Sequence, residues 1–268
     1  MKMQLFTEGD LAYLDDLKPE GWGDIFTPHK YYLSHSFCRT MKITSAGKPV
    51  AIGTTINHGN TAWLAHIIVH RDCRGQGLGN RIVSGLLSDL SNDKEIETVS
   101  LIATDLGYPL YLKNGFVEQT EYHFYELPED KTFDSPLSPM IFPYNSSMEN
   151  SLLQLDREVI GEDRSEYLRD KLPGAFAYLK NGLPEGFSIP DLGDGLTIAK
   201  SDEAGIELLK LIMNRGNKVV IPRENIIAGD FLRTQGYGRG KSARRMTYGS
   251  AFPWKPENLF NRIGGKLG

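Results

Sequence analysis

The spacing of apolar residues changes repeatedly along the chain, and each change marks an element. Residues 11–18 read as a short amphipathic helix with Asp10 as its N-cap, and a second helical stretch centres on 29–36. Strand patterns then occupy 37–44, 50–56 and 61–69, with turn residues at 46–49 and 57–60 between them. Connections this short predict an antiparallel meander. After a glycine-rich loop, Ile82, Val83, Leu86, Leu87 and Leu90 make one apolar stripe of a helix. A strand at 98–103, a short helix at 110–113 ended by Asn114-Gly115, and a strand at 116–127 follow.

The stretch 128–150 carries four prolines and several serines and reads as a linker. Beyond it the pattern recurs in outline. Residues 151–172 are helical in parts, 175–179, 196–200 and 218–221 read as strands, and helices cover 203–213 and the run up to Gln235. Segment 107–116 can be laid on 228–237: a small residue, a short helix, a glycine, an aromatic. The expected class is therefore mixed α+β, with two related domains at 1–127 and 151–268, each a mostly antiparallel sheet flanked by helices.

Composition narrows the function classes. A chain of 268 residues exceeds what one core usually needs. Lys plus Arg is 30 against Asp plus Glu 34, a balance that argues against a nucleic-acid partner. Only Cys38 and Cys73 are present, too few for a disulfide framework, which points to a reducing, cytoplasmic setting. No run approaches the ~20 apolar residues of a membrane span, and no signal peptide is read at the start. No spacing suggests a metal site.

The most informative segment is 67–80, where the strand ending Ile67-Ile68-Val69 runs through Arg74-Gly75-Gln76-Gly77-Leu78-Gly79-Asn80 into a helix. Glycines let a backbone turn tightly and approach a ligand, and free amides at a helix start attract anions. The dinucleotide fingerprint fails from both Gly75 and Gly77, and Gly240-Lys241-Ser242 lacks the first glycine of a P-loop. What remains is Arg74, Gly77 and Gly79 in the pattern R-x-x-G-x-G.

This loop resembles the acetyl-coenzyme A pyrophosphate loop of the GCN5-related N-acetyltransferases (GNAT), with Arg71 where that family commonly has proline. Residues 101–116, with Leu110-Tyr111 and Gly115-Phe116, are similar to its second motif. The resemblance covers about 1–127. It implies that 67–69 and 74–80 hold acetyl-coenzyme A, and that the product is an acetylated primary amine of a small molecule or peptide. The second half, with 156–164 and Arg245-Met246, is similar to the degenerate second domain of two-domain members. It lacks the arginine-glycine cluster and has Leu232 at the place of Tyr111.

Aminolysis of a thioester needs a neutral amine, a stabilised oxyanion and a proton for the departing thiolate. The resemblance makes Tyr111 the acid. His66, on the strand bordering the loop, is the candidate base. His58 reads as exposed in its turn, His70 as a flank of the loop, and Cys73 as a spacer. Asp105 and Asp163 are candidates for holding a cationic substrate. Trp22, Tyr31 and Tyr32 are either pocket or core, and Arg244 and Arg245 read as exposed surface. The alternative to an N-acetyltransferase is a non-catalytic coenzyme A sensor or scaffold.

Overall fold

The computed structural model describes residues 2–93, 95–216 and 218–268. They form two compact units. Unit 1 is the chain up to Val117 with Met246–Ser250 and Leu267; unit 2 is Glu118–Arg245 with Ala251–Lys266 and Gly268.

Unit 1 opens with β1 (Met3–Leu5), a 3₁₀ turn and the short helix α1 (Leu14–Leu17), then α2 (Phe26–Ser34). Thr7 is the N-cap of the 3₁₀ turn, and the Asp10 carboxylate closes a capping box by accepting from Thr7 N at 2.7 Å. Asp10 thus caps from inside the turn, three residues after the position expected of it. The meander follows as β2 (Cys38–Ser45), β3 (Lys48–His58) and β4 (Thr61–Val69), antiparallel throughout. Then come α3 (Leu78–Leu90), β5 (Thr98–Ala103) and α4 (Tyr108–Lys113), with β5 parallel to β4.

Alternation along the strands gives this sheet two buried faces. Ala51 and Leu64 meet α3 through Ile82, Val83 and Leu86. Ile52 and Ile68 meet Leu14, Leu17 and Ile25 on the other side. Burying both faces explains why the strands read as nearly continuous apolar runs.

In unit 2, β6 (Val117–Glu126) runs on from the last residue of unit 1. The following elements are β7 (Ile141–Pro143), α5 (Glu149–Ile160), α6 (Ser165–Leu168), β8 (Phe176–Lys180), β9 (Leu183–Ile189) and β10 (Leu196–Ala199). After them come α7 (Asp202–Met213), β11 (Lys218–Pro222), α8 (Ile226–Thr234), β12 (Gly238–Gly249) and β13 (Leu259–Asn261). One sheet has the order β13-β10-β9-β8-β7, and β6 also pairs antiparallel with β11. The end of β12 belongs to unit 1, where Met246 joins the core and Ser250 N donates to Glu97 O at 3.0 Å.

The repeat between 107–116 and 228–237 extends to hydrogen-bond detail. Gly115 and Gly236 have φ of +86° and +85°. Phe116 N donates to Tyr111 O at 3.1 Å, and Tyr237 N to Leu232 O at 3.0 Å. Both helices therefore end in the same glycine-terminated turn.

Five strands escaped the periodicity: β1 and β7, each three residues long, the latter inside the stretch read as a linker, and β9, β12 and β13. β9 contains Pro184 and Gly186, which read as loop residues. Gly186 is there because a Cβ would come within 2.8 Å of Ala199 Cβ and Leu208 Cδ1, so the glycine admits α7 onto the sheet. β12 is polar and glycine-bearing over its first half, and β13 is three residues long.

Arg245 is fully buried, not surface: it donates to Glu162 at 3.0 Å and lies 4.3 Å over the Trp254 ring. Arg164 makes two bonds to Asp156, at 2.6 and 3.1 Å, with both groups buried. Asp156 with Arg164, and Glu162 with Arg245, thus form paired interior contacts of unit 2, which satisfies buried charges that would otherwise be costly. Gly161 ends α5 at φ +79°, and a Cβ there would lie 1.8 Å from Pro253 O. Gly161→Ala is therefore expected to destabilise the protein by about 2–4 kcal/mol, from overpacking and left-handed strain together. Thermal melting checks this; an unchanged midpoint would contradict the packing described.

Candidate active site

The site in unit 1 begins with a break in register. Between β3 and β4 the pairs Ile52↔Ile68 and Thr54↔Ala65 leave Gly53 facing both His66 and Ile67, a β-bulge. A Cβ on Gly53 would lie 2.5 Å from Ile82 and 2.9 Å from Leu86, so only glycine lets α3 cross here. His66 has φ +48°, rare for a residue with a side chain. β4 pairs with β5 only at Thr61, Ala62 and Trp63. From Leu64 to the end of β4 the backbone edge facing β5 is not matched by that strand.

β4 leads directly into the glycine loop. His70 N donates to Val50 O at 2.9 Å, and Asp72 N donates to His70 Nδ1 at 3.3 Å, so His70 anchors the loop. Arg74 is exposed, its Nε donating to Val69 O at 3.3 Å, and Gln76 is exposed beside it. Gly75 and Gly77 have φ of +74° and +75°, and a Cβ on either would meet open space. They are glycines for their backbone conformation, and the space beside them is free for a ligand.

Gly77 is the N-cap of α3, with no side chain capping the helix and no acidic residue in its first turn. Leu78 is buried in the core, whereas Gly79 approaches Leu110, 3.2 Å from a built Cβ. Asn80 Oδ1 accepts from Asn114 Nδ2 at 3.0 Å, which ties the start of α3 to the end of α4. Ile67 and Val69 pack toward α3 and Ile68 toward the opposite core, so these three offer a ligand their backbone.

Tyr111 lies on α4, 8% exposed, with its ring 5.9 Å from Phe116. Burial pushes its hydroxyl up to about 12. Gly107 makes room for this ring, since a Cβ would sit 2.9 Å from Tyr111 Cε2.

His66 is half-buried among rings of the α2 side: Trp22, His29 and Tyr32 at centroid distances of 6.1, 5.1 and 5.6 Å. Tyr32 Oη and His66 Nδ1 are 3.0 Å apart. Tyr111 packs instead in the α3-side cluster. His58 is buried, 2% exposed, contrary to its turn-like setting. Asp105 is exposed, and Asp163 in unit 2 is engaged by Arg157 and Ser165. The sequence reading passed over His29 and Gly53; an isolated glycine within a strand pattern is the signal for the latter.

At the matching place in unit 2 the chemistry is reversed. Ser201 caps α7 by accepting from Ala204 N, its hydroxyl donates to Glu185 at 2.7 Å, and Asp202 and Glu203 fill the first turn. A Cβ on Gly205 would run into the Phe260 ring at 2.1 Å. This helix start is already satisfied and negatively charged, which disfavours an anionic ligand.

The site thus combines a parallel pair that parts beyond Trp63, a bulge, and a glycine loop that opens the following helix. Residues 22–126 match the family model for the "Acetyltransferase (GNAT) domain", and the chain therefore carries a domain of that family over those residues. No curated protein sequence matches the chain. Among solved structures it resembles a protein of Pyrococcus horikoshii whose acetyltransferase role is itself an assignment. That match has 20% identity and TM-score 0.82, and spans 100% of this chain and 95% of the other. A GCN5-related N-acetyltransferase from Sphaerobacter thermophilus matches at 15% identity and TM-score 0.61, over 94% and 96% of the two chains. A tandem GNAT protein from the clavulanic acid biosynthesis pathway matches at 12% and 0.61, over 93% and 98%. At these identities the likeness is one of fold.

Where the loop holds the pyrophosphate of acetyl-coenzyme A, as its sequence resemblance implies, Gly77→Asp is expected to weaken binding roughly 10- to 100-fold by placing a carboxylate against it. The variant should fold, because its side chain meets open space and aspartate tolerates left-handed backbone. Calorimetry on the folded variant checks this, and unchanged affinity would displace the ligand from the loop.

Proposed function

We propose that this protein is an N-acetyltransferase that uses acetyl-coenzyme A and a primary amine of a small molecule or peptide. The observation that carries the reading is the uncapped, open start of α3 at Gly77, beside a β4 edge that β5 leaves unmatched. The amides of 75–79 and the exposed Arg74 suit a pyrophosphate, and the β4 edge beyond Trp63 suits the amide-bearing arm of the cofactor. When bound, acetyl-coenzyme A supplies the acetyl group as an activated thioester.

The chain's own groups handle the protons. His66 takes a proton from the incoming ammonium, which frees the nitrogen lone pair. Backbone amides of the unmatched β4 edge polarise the acyl carbonyl. Tyr111, held protonated by burial, gives its proton to the departing sulfur. Residues 1–127 are the catalytic domain in this reading, 128–150 a connection, and 151–268 a degenerate relative that no longer binds the cofactor.

With a panel of primary amines and a thiol-release assay, one amine class should turn over. Tyr111→Phe should then lower kcat about 100-fold with KM for acetyl-coenzyme A unchanged. Because the Tyr111 pKa is about 12, the wild-type rate should show no basic limb from this group below about pH 10. Full turnover by Tyr111→Phe would remove its role. Cofactor binding with no release for any amine would favour the sensor instead.

A further inference from the structure

His66 is held from two directions. Its backbone is fixed at φ +48° by the bulge, and its ring is packed by Trp22 from the loop before α2 and by His29 and Tyr32 from α2 itself. One ring nitrogen is committed: Nδ1 lies 3.0 Å from Tyr32 Oη. Resting on the reading of His66 as the proton acceptor, we propose that Tyr32 is its positioning residue. The Tyr32 oxygen accepts a hydrogen bond from His66 Nδ1–H, so that Nε2 keeps its lone pair for the acceptor amine.

The direction of the bond follows from what the ring must do. When Nε2 takes a proton, an N–H bond of the ammonium breaks, an Nε2–H bond forms, and the positive charge passes to the imidazolium. Both ring nitrogens are then donors, and Nδ1–H needs an acceptor. A phenolic oxygen already accepting from Nδ1–H serves before and after the transfer. A phenol donating to Nδ1 would face a second donor as soon as the ring became charged. A base oriented by a third group is the general arrangement for such chemistry.

The titratable groups packed on His66 by these contacts are Tyr32 and His29. His29 does not compete for the charge. Burial holds its pKa below the ordinary histidine value. Its Nδ1 lies 2.6 Å from Ile25 O, which requires the ring proton there, and its Nε2 is buried with no hydrogen-bond partner among the described residues. His29, neutral and 5.1 Å away, therefore adds no positive charge against the His66 imidazolium.

Long-range ¹H–¹⁵N NMR of the histidine rings in the full chain tests this, with His66→Gln identifying the signals. The wild type is expected to show the Nδ1–H tautomer of neutral His66. Tyr32→Phe, which keeps the ring and removes one oxygen, should shift it toward the Nε2–H form that free imidazole side chains prefer. With the amine that turns over, Tyr32→Phe should lower kcat roughly 10- to 100-fold while KM for acetyl-coenzyme A holds, as for a misplaced catalytic group. A wild type in the Nε2–H form, or a tautomer unmoved by Tyr32→Phe, overturns the inference. Calorimetry with acetyl-coenzyme A separates the two readings: absent binding sinks the transferase, while the tautomer still decides the Tyr32–His66 bond.

Discussion

One extra residue in β4 governs the geometry of unit 1. Placing His66 and Ile67 opposite Gly53 bends the strand, and past Trp63 the parallel register with β5 is no longer kept. The bend requires a glycine on the neighbouring strand, because α3 lies directly over it through Ile82 and Leu86. It also puts His66 into a backbone conformation that a side chain seldom adopts. The cost of that strain is of order 1–3 kcal/mol, and such strain collects where a site needs it. Opened strand edge, glycine loop and uncapped helix then follow one another along the chain in the order a long, anionic ligand would use them.

The two halves show how little is needed to make or remove an anion site on the same supersecondary plan. α3 and α7 each follow an antiparallel meander and precede a strand and a short helix that ends in the same turn. At α3 the cap is a left-handed glycine and the first turn carries no acid. At α7 a serine satisfies a helix amide, and two carboxylates occupy the first turn. The helix dipole is common to both, so the difference rests on caps, charge and space.

Much of this was legible in the residues. The apolar stripe of α3, the meander, the bounds of β4 and β5 and the repeat all follow from periodicity and turn chemistry. The turn from β4 into α3 was legible because closely spaced glycines mark a left-handed backbone, which Gly75 and Gly77 adopt. Pairing was harder to read. β9 was hidden by Pro184 and Gly186, and β12 by polar residues, because strand character there comes from neighbours distant in sequence. The burial of Arg245 was likewise invisible, since its partner Glu162 lies 83 residues away along the chain. His66 could be named from its strand, but its bond to Tyr32 depends on how α2 lies against the bulge.

The proposed cofactor site is a single helix start, at Gly77 and not at Ser201. Calorimetric titration of the whole protein with acetyl-coenzyme A addresses it most directly. The expected result is saturable binding with one site per chain. Two sites per chain would contradict the contrast drawn between α3 and α7, and no binding would contradict the reading of the glycine loop itself.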